Sequence, residues 1–158
     1  MERSVPCVKE VPSQRVVSRR EKGTYQEVIP RLIGDLCGRV MGPEGQKAGV
    51  RCSGPPILIC HDKEPKEEDA DIEVAMPITG RMKAGPGYEV RTIEGGKVVS
   101  YVHKGRYQDV GLAYKGIFEY IGRSGFRPAG PVREMYLNDP KDVPEEELLT
   151  EIQVPVAK

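Results

Sequence analysis

The apolar positions of this chain change period twice, in the same order, in its two halves. Near the start, QRVVSRREKG (14–23) is an extended apolar/polar run that ends at Lys22-Gly23, and VVSYVHKG (98–105) ends the same way. Both read as strands. Helical spacing follows. In the second half Tyr107, Val110, Tyr114, Ile117, Phe118 and Ile121 recur on one face, which predicts a helix packed through that face. In the first half Pro30 is expected in the first helical turn, after Val28 and Ile29, with Leu32, Ile33 and Leu36 as the buried stripe. A glycine-rich exit comes next (GPEGQKAG; GRSGFRPAG), then two short strand-like segments separated by a charged stretch. The pattern is strand–helix–strand–strand, twice.

Residue identities support an internal repeat. VVSRREKGTYQEVIPRLIGDL (16–36) and VVSYVHKGRYQDVGLAYKGIF (98–118) share nine of 21 positions at an offset of 82, where chance gives roughly one or two. Downstream, GPPILICHD (54–62) resembles GPVREMYLND (130–139), and EVAMPI (73–78) resembles EIQVPV (151–156). Copy one is expected over about 5–79 and copy two over about 87–158, joined by GRMKAGPG (80–87). One such module buries a single face, so two are expected to share a core in one α+β domain, 1–158. The expected sheet is mainly antiparallel with two principal helices, and a cleft between the halves is the expected ligand site.

The repeat exposes an anomaly. Aligning Gly54 with Gly130 and Pro55 with Pro131 sets Glu134 against Leu58, so the fold accepts an apolar residue where copy two has a carboxylate. Val132, Glu134 and Tyr136 alternate onto one strand face, and Arg133 falls on the other. An unpaired buried charge costs several kcal/mol, so such a carboxylate implies a cation or a function. Eight of the nine aromatic residues lie in copy two. Carboxylate and rings together fit an organic cation: ring faces hold its apolar body and Glu134 neutralises its charge. Tyr136, Tyr107, Tyr114, Tyr88 and Tyr120 are the candidate rings, although Phe118 and Tyr114 also read as helix-packing residues.

Composition narrows the alternatives. Lys+Arg and Asp+Glu are 24 each, for zero formal net charge, so no basic excess points to nucleic acid or an anionic membrane. The first dozen residues have no apolar run, and ILIC (57–60) is far too short to span a bilayer. A soluble, cytoplasmic protein is expected. Cys7, Cys37, Cys52 and Cys60 form no CxxC pair and are expected as reduced, mostly buried thiols. No metal is expected, the weak set of Cys52 with CHD at 60–62 aside. His61 and His103 read as isolated surface or strand histidines. The acidic stretch 64–71 reads as a solvated hairpin connection. No Ser-His-Asp set or P-loop is present.

The doubled Lys-Gly-x-Tyr-Gln-acid motif, PVREMYLNDP and the C-terminal EEELLTEIQVPV closely resemble the GyrI-like, or AraC-type effector-binding, domain family over nearly the whole chain. The resemblance implies a duplicated strand–helix–two-strand fold and the sensing of drugs and other small molecules. It places the key pocket acid of the family within V-R-E-M-Y here, at Glu134. Pocket tyrosines vary in the family and none is carried over. Some members belong to DNA-binding regulators; residues 1–10 leave no room for a helix-turn-helix, so no direct nucleic-acid binding is expected. The first reading is a non-enzymatic, stand-alone binder of apolar, cationic small molecules, without a cofactor. The second follows members that hydrolyse strained cyclopropyl groups of DNA-alkylating compounds: Glu134 would be the general base and a tyrosine would steady the opening ring. Pockets of that kind carry tryptophan, and this chain has none. The third is a protein-interaction role such as gyrase inhibition, with the partner unidentified. The haem-binding SOUL proteins share the fold, but nothing here nominates an axial ligand.

Overall fold

The computed structural model describes residues 5–62, 66 and 68–158. The acidic stretch 64–71 falls partly outside them, at 64, 65 and 67. The elements follow the repeat closely. Copy one supplies β1 (Cys7–Val11), β2 (Gln14–Gly23), α1 (Tyr25–Met41), α2 (Pro43–Ala48), β3 (Arg51–Cys52), β4 (Ile57–Cys60) and β5 (Ala70–Thr79). Copy two supplies β6 (Glu89–Ile93), β7 (Gly96–Lys104), a 3-10 turn at Tyr107–Asp109, α3 (Gly111–Arg123), β8 (Arg127–Pro128), β9 (Val132–Tyr136) and β10 (Leu149–Ala157). The offset is 82 residues as far as the main helices and 76 at β4 and β9, because the six-residue α2 has no counterpart, and it is 78 at β5 and β10, where the connection in copy two is two residues longer. These strands pair antiparallel. The fold is α+β, with two principal helices on mainly antiparallel sheet.

Besides the two-residue β3 and β8, each module has one strand more than the hydrophobic pattern predicted, and that strand is exchanged. The chain forms two compact units, Ser13–Glu94 and a composite of Met1–Pro12 with Gly95–Lys158. In the first, the strand order is β4-β5-β2-β6; in the composite unit it is β1-β7-β10-β9. Thus β1 of copy one pairs along its whole length with β7 of copy two, Cys7 opposite Ser100 and Val11 opposite Gly96. In the other unit β6 of copy two pairs with β2 of copy one, Ile93 opposite Gln14 and Glu89 opposite Ser18.

Helix α1 begins earlier than Pro30 predicted. Thr24 is its N-cap and accepts the Glu27 amide at 3.3 Å. Glu27 in the first turn and Arg39 in the last complement the helix dipole. Pro30 is the sixth helical residue, where it removes one backbone hydrogen bond without ending the helix. Val28, Leu32, Leu36 and Val40, spaced four apart, are buried along one face. The Lys-Gly junction before the helix has a steric cause at Gly23, where a Cβ would lie 2.6 Å from a Val28 methyl.

In the composite unit α3 lays Ala113, Ile117 and Ile121 on Val99, Ile152, Val154 and Val156 of β7 and β10. Tyr101, Val110, Tyr114, Tyr120, Phe126 and Val132 pack around this core half-buried. Phe118, expected inside, is 42% exposed on the outer side of the helix: it follows Ile117 directly, and neighbouring helix positions point about 100° apart. The thiols also depart from expectation. None of the four is in a disulfide, but Cys7 and Cys52 are exposed and Cys37 and Cys60 half-buried; β1 and the two-residue β3 are too marginal to enclose theirs. Among the described residues no helix is long and apolar enough to cross a membrane.

Candidate ligand-binding site

Glu134 is the middle residue of β9 and faces α3. It stands opposite Ile152 of β10, which is itself opposite Tyr101 of β7. The adjacent row on the same face is Tyr136, Thr150 and His103. Across this face α3 brings Tyr114, whose hydroxyl donates a hydrogen bond to Glu134 Oε2. Tyr107, in the 3-10 turn ahead of α3, meets Tyr136 edge to face with ring centroids 5.4 Å apart. His103 Nε2 donates to the Arg106 carbonyl at 3.0 Å, and its charge also bears on Glu134.

The electrostatics follow from this surrounding. Burial pushes the Glu134 carboxyl above its ordinary value, while the Tyr114 hydrogen bond and the His103 charge oppose the shift. The residue keeps some exposed surface, but its neighbourhood is crowded and no lysine or arginine among the described residues pairs with it. Arg133 lies on the opposite face, across from Gln153. Burial also raises the Tyr107 hydroxyl, with the Asp139 charge adding to it.

The repeat shows how this site arises. Leu32 and Leu58, 0% and 2% exposed, occupy in copy one the places of Tyr114 and Glu134. An apolar pair has become a hydroxyl and a carboxylate on an otherwise equivalent frame.

Of the candidate rings, Tyr107, Tyr114 and Tyr136 gather with Glu134 in the composite unit. Tyr120 lies on α3 against that unit's core. Tyr88 lies in the other unit, where Arg19 donates to its hydroxyl at 3.2 Å and the guanidinium groups of Arg19 and Arg39 stand 5.1 and 5.4 Å from its ring centroid. A hollow of about 420 Å³ between the end of α1 and β3, lined by Val40, Met41 and Cys52 among others, has no carboxylate or aromatic ring and does not match the expected chemistry.

Two polar networks on the opposite sheet faces escaped the sequence reading. Glu73 of β5 is 4% exposed. Arg91 of β6 holds it through Nη2 at 2.8 Å and Nε at 3.2 Å, His61 Nε2 lies at 2.7 Å, and Ser18 also donates to it. His61 is therefore not isolated. In the composite unit Glu151 of β10 receives Lys9 Nζ at 2.5 Å, Gln153 Nε2 at 2.7 Å and Ser100 Oγ at 2.8 Å. Ser18 matches Ser100, Glu73 matches Glu151, and Lys9 of β1 matches Arg91 of β6. In both networks the cation comes from the exchanged strand. These partners overcome burial and hold both carboxyls below their ordinary values. The signal was available, because Lys9 and Arg91 obey the same 82-residue offset as the strand and helix that follow them.

Comparison with known structures agrees with this frame. The C-terminal domain of EcmrR is 26% identical with a TM-score of 0.81, over 98% of both chains. In the EcmrR–DNA complex the TM-score is 0.86 at 26% identity, and this chain spans only 58% of that longer chain. A hydrolase from Listeria innocua is 15% identical with a TM-score of 0.75, over 99% of this chain and 94% of its own. SAV2435, solved bound to tetraphenylphosphonium, is 18% identical with a TM-score of 0.56, over 99% and 94%. At such identities these last two show the fold alone. The comparison with curated proteins gave no match. The family model of the GyrI-like small molecule binding domain matches residues 5–157, and the chain belongs to that family.

Proposed function

We propose that this domain binds apolar, cationic small molecules against the α3-facing side of the composite unit, with Glu134 neutralising the cation and Tyr107, Tyr114 and Tyr136 contacting its apolar body. The observation that carries this is the contrast among carboxylates. Glu73 and Glu151 each hold an internal cation and are lowered. Glu134 has a tyrosine hydroxyl instead and is raised. A carboxylate kept largely desolvated, with the His103 charge nearby but no lysine or arginine paired to it, is matched to a cation that arrives from outside. SAV2435 bound to an apolar phosphonium is compatible with this reading, which rests on Glu134 itself.

The test is equilibrium binding of cationic dyes and neutral molecules of the same shape to wild type and Glu134→Gln. The substitution is expected to weaken the cations by about 1–3 kcal/mol and to leave the neutral molecules nearly unchanged. Equal losses for both would reject the reading.

One observation favours a hydrolytic second reading. A carboxyl raised by burial and hydrogen-bonded to a tyrosine hydroxyl is equipped for general base chemistry on water. Glu134→Asp separates the two readings, since it keeps the charge and withdraws it by one methylene. A binder keeps much of its affinity, whereas a hydrolase loses on the order of 100-fold in rate from a displacement of about 1 Å. Incubation with a strained cyclopropyl substrate, followed by mass spectrometry, is the assay. Wild-type turnover that disappears in both Glu134 variants would replace the binder with the enzyme.

A further inference from the structure

Thr150 is fully buried, and its Oγ1 has no hydrogen-bond partner. It lies at the middle of the row next to Glu134, between His103 on β7 and Tyr136 on β9. His103 spends its Nε2 on the Arg106 carbonyl, and Tyr136 turns its ring to Tyr107. A buried hydroxyl without a partner is destabilising, and native proteins seldom keep one without a reason.

The repeat shows that the fold does not need a hydroxyl there. The matching residue of copy one is Ile72, also 0% exposed, opposite Glu21 and Cys60. Thr150 thereby joins Tyr114 and Glu134 as a third position that is apolar and buried in one copy and polar in the other. The opposite sheet faces keep Ser18 and Ser100, like Glu73 and Glu151, although there too the buried pair Ile57 and Ala75 of copy one becomes Arg133 and Gln153 in copy two. Gln153 is satisfied on that face by its bond to Glu151, whereas Thr150 is converted and left without a partner.

We propose that the Thr150 hydroxyl is a second hydrogen-bonding point of the Glu134 site, and that the favoured cation carries an N–H of its own, as a protonated amine or ring nitrogen does. This deepens the cation-binding reading and rests on it. Glu134 meets the charge of any cation, but only one with an N–H can also donate to Thr150 Oγ1. A quaternary cation of the same shape leaves the hydroxyl orphaned.

The experiment measures binding of protonated acridine orange, its ring-N-methylated quaternary analogue and neutral xanthone to the full chain, as wild type and as Thr150→Val. Wild type is expected to prefer the N–H cation over the quaternary one by roughly tenfold. In Thr150→Val that preference disappears while quaternary binding is unchanged. The variant is also expected to melt no lower than wild type, since an apolar isostere replaces an unsatisfied group. A preference retained in Thr150→Val overturns the subsite and leaves the cation reading standing. A lower melting temperature overturns it too, because the hydroxyl would then be bonded within the protein. Both cations binding no better than xanthone would overturn the cation reading and the subsite with it.

Discussion

Two glutamates of this protein titrate in one direction and a third in the other, and the difference comes from their partners. Glu73 and Glu151 are lowered by hydrogen bonds and cations. They stabilise the fold above the ordinary carboxylate pKa of about 4.3, and that contribution is lost as pH falls through their folded values. Glu134 is raised, so the sign reverses. The folded state holds its proton more tightly than the unfolded one, and this contribution declines as pH rises above the unfolded value. Glu134→Gln is therefore expected to stabilise the ligand-free protein at neutral pH and to lose that advantage below about pH 4. Urea midpoints across pH would read this; a variant less stable than wild type at neutral pH would contradict it. Because its carboxyl is raised, binding a permanent cation should lower the pH at which Glu134 loses its proton, read by titrating the free and the cation-bound protein by NMR. Glu134 was legible in the sequence because its counterpart is a leucine. Thr150 was not, since threonine in a strand is ordinary until its hydroxyl proves to lack a partner. Tyr88 was named as a candidate from aromatic bias alone, and composition does not say which unit a ring joins.

At the scale of elements, β1 and β6 are short and each brings one cation to a strand carboxylate: Lys9 to the half-buried Glu151 and Arg91 to the buried Glu73. Removing one partner of a buried pair leaves an uncompensated charge, at a typical cost of 3–5 kcal/mol. Arg91→Met is expected near the lower end, about 3 kcal/mol, because Ser18 and His61 still face Glu73. Lys9→Met should cost clearly less. The Lys9 side chain is 43% exposed, and Ser100 and Gln153 continue to hold Glu151. Urea denaturation of the two variants checks the ranking, and equal losses would refute it. The main helices and the later strands were legible because their periods are strong and occur twice. The exchanged strands were not, since five residues such as CVKEV (7–11) lack a decisive alternation and strand partners are a tertiary choice. Pro30 misplaced a helix start because the Thr24 cap and the buried series from Val28 to Val40 outweigh one missing hydrogen bond.

For the whole molecule, the units that fold together are not the units that repeat. A cut in the joining segment 80–87 would part β1 from β7 and β6 from β2. The two fragments are expected to regain binding only when refolded together, and either one binding dye alone at wild-type affinity would refute this. The same exchange bears on ancestry. A lone module with this pairing rule has a first strand with no place in its own sheet and a sheet edge awaiting one. Its simplest closed state is a pair of identical chains trading those strands by twofold symmetry. The duplication then reads as a fossil dimer joined end to end. Once one gene encoded both partners, the halves could diverge: one kept leucine and isoleucine, and the other was free to set a glutamate and a threonine in their places.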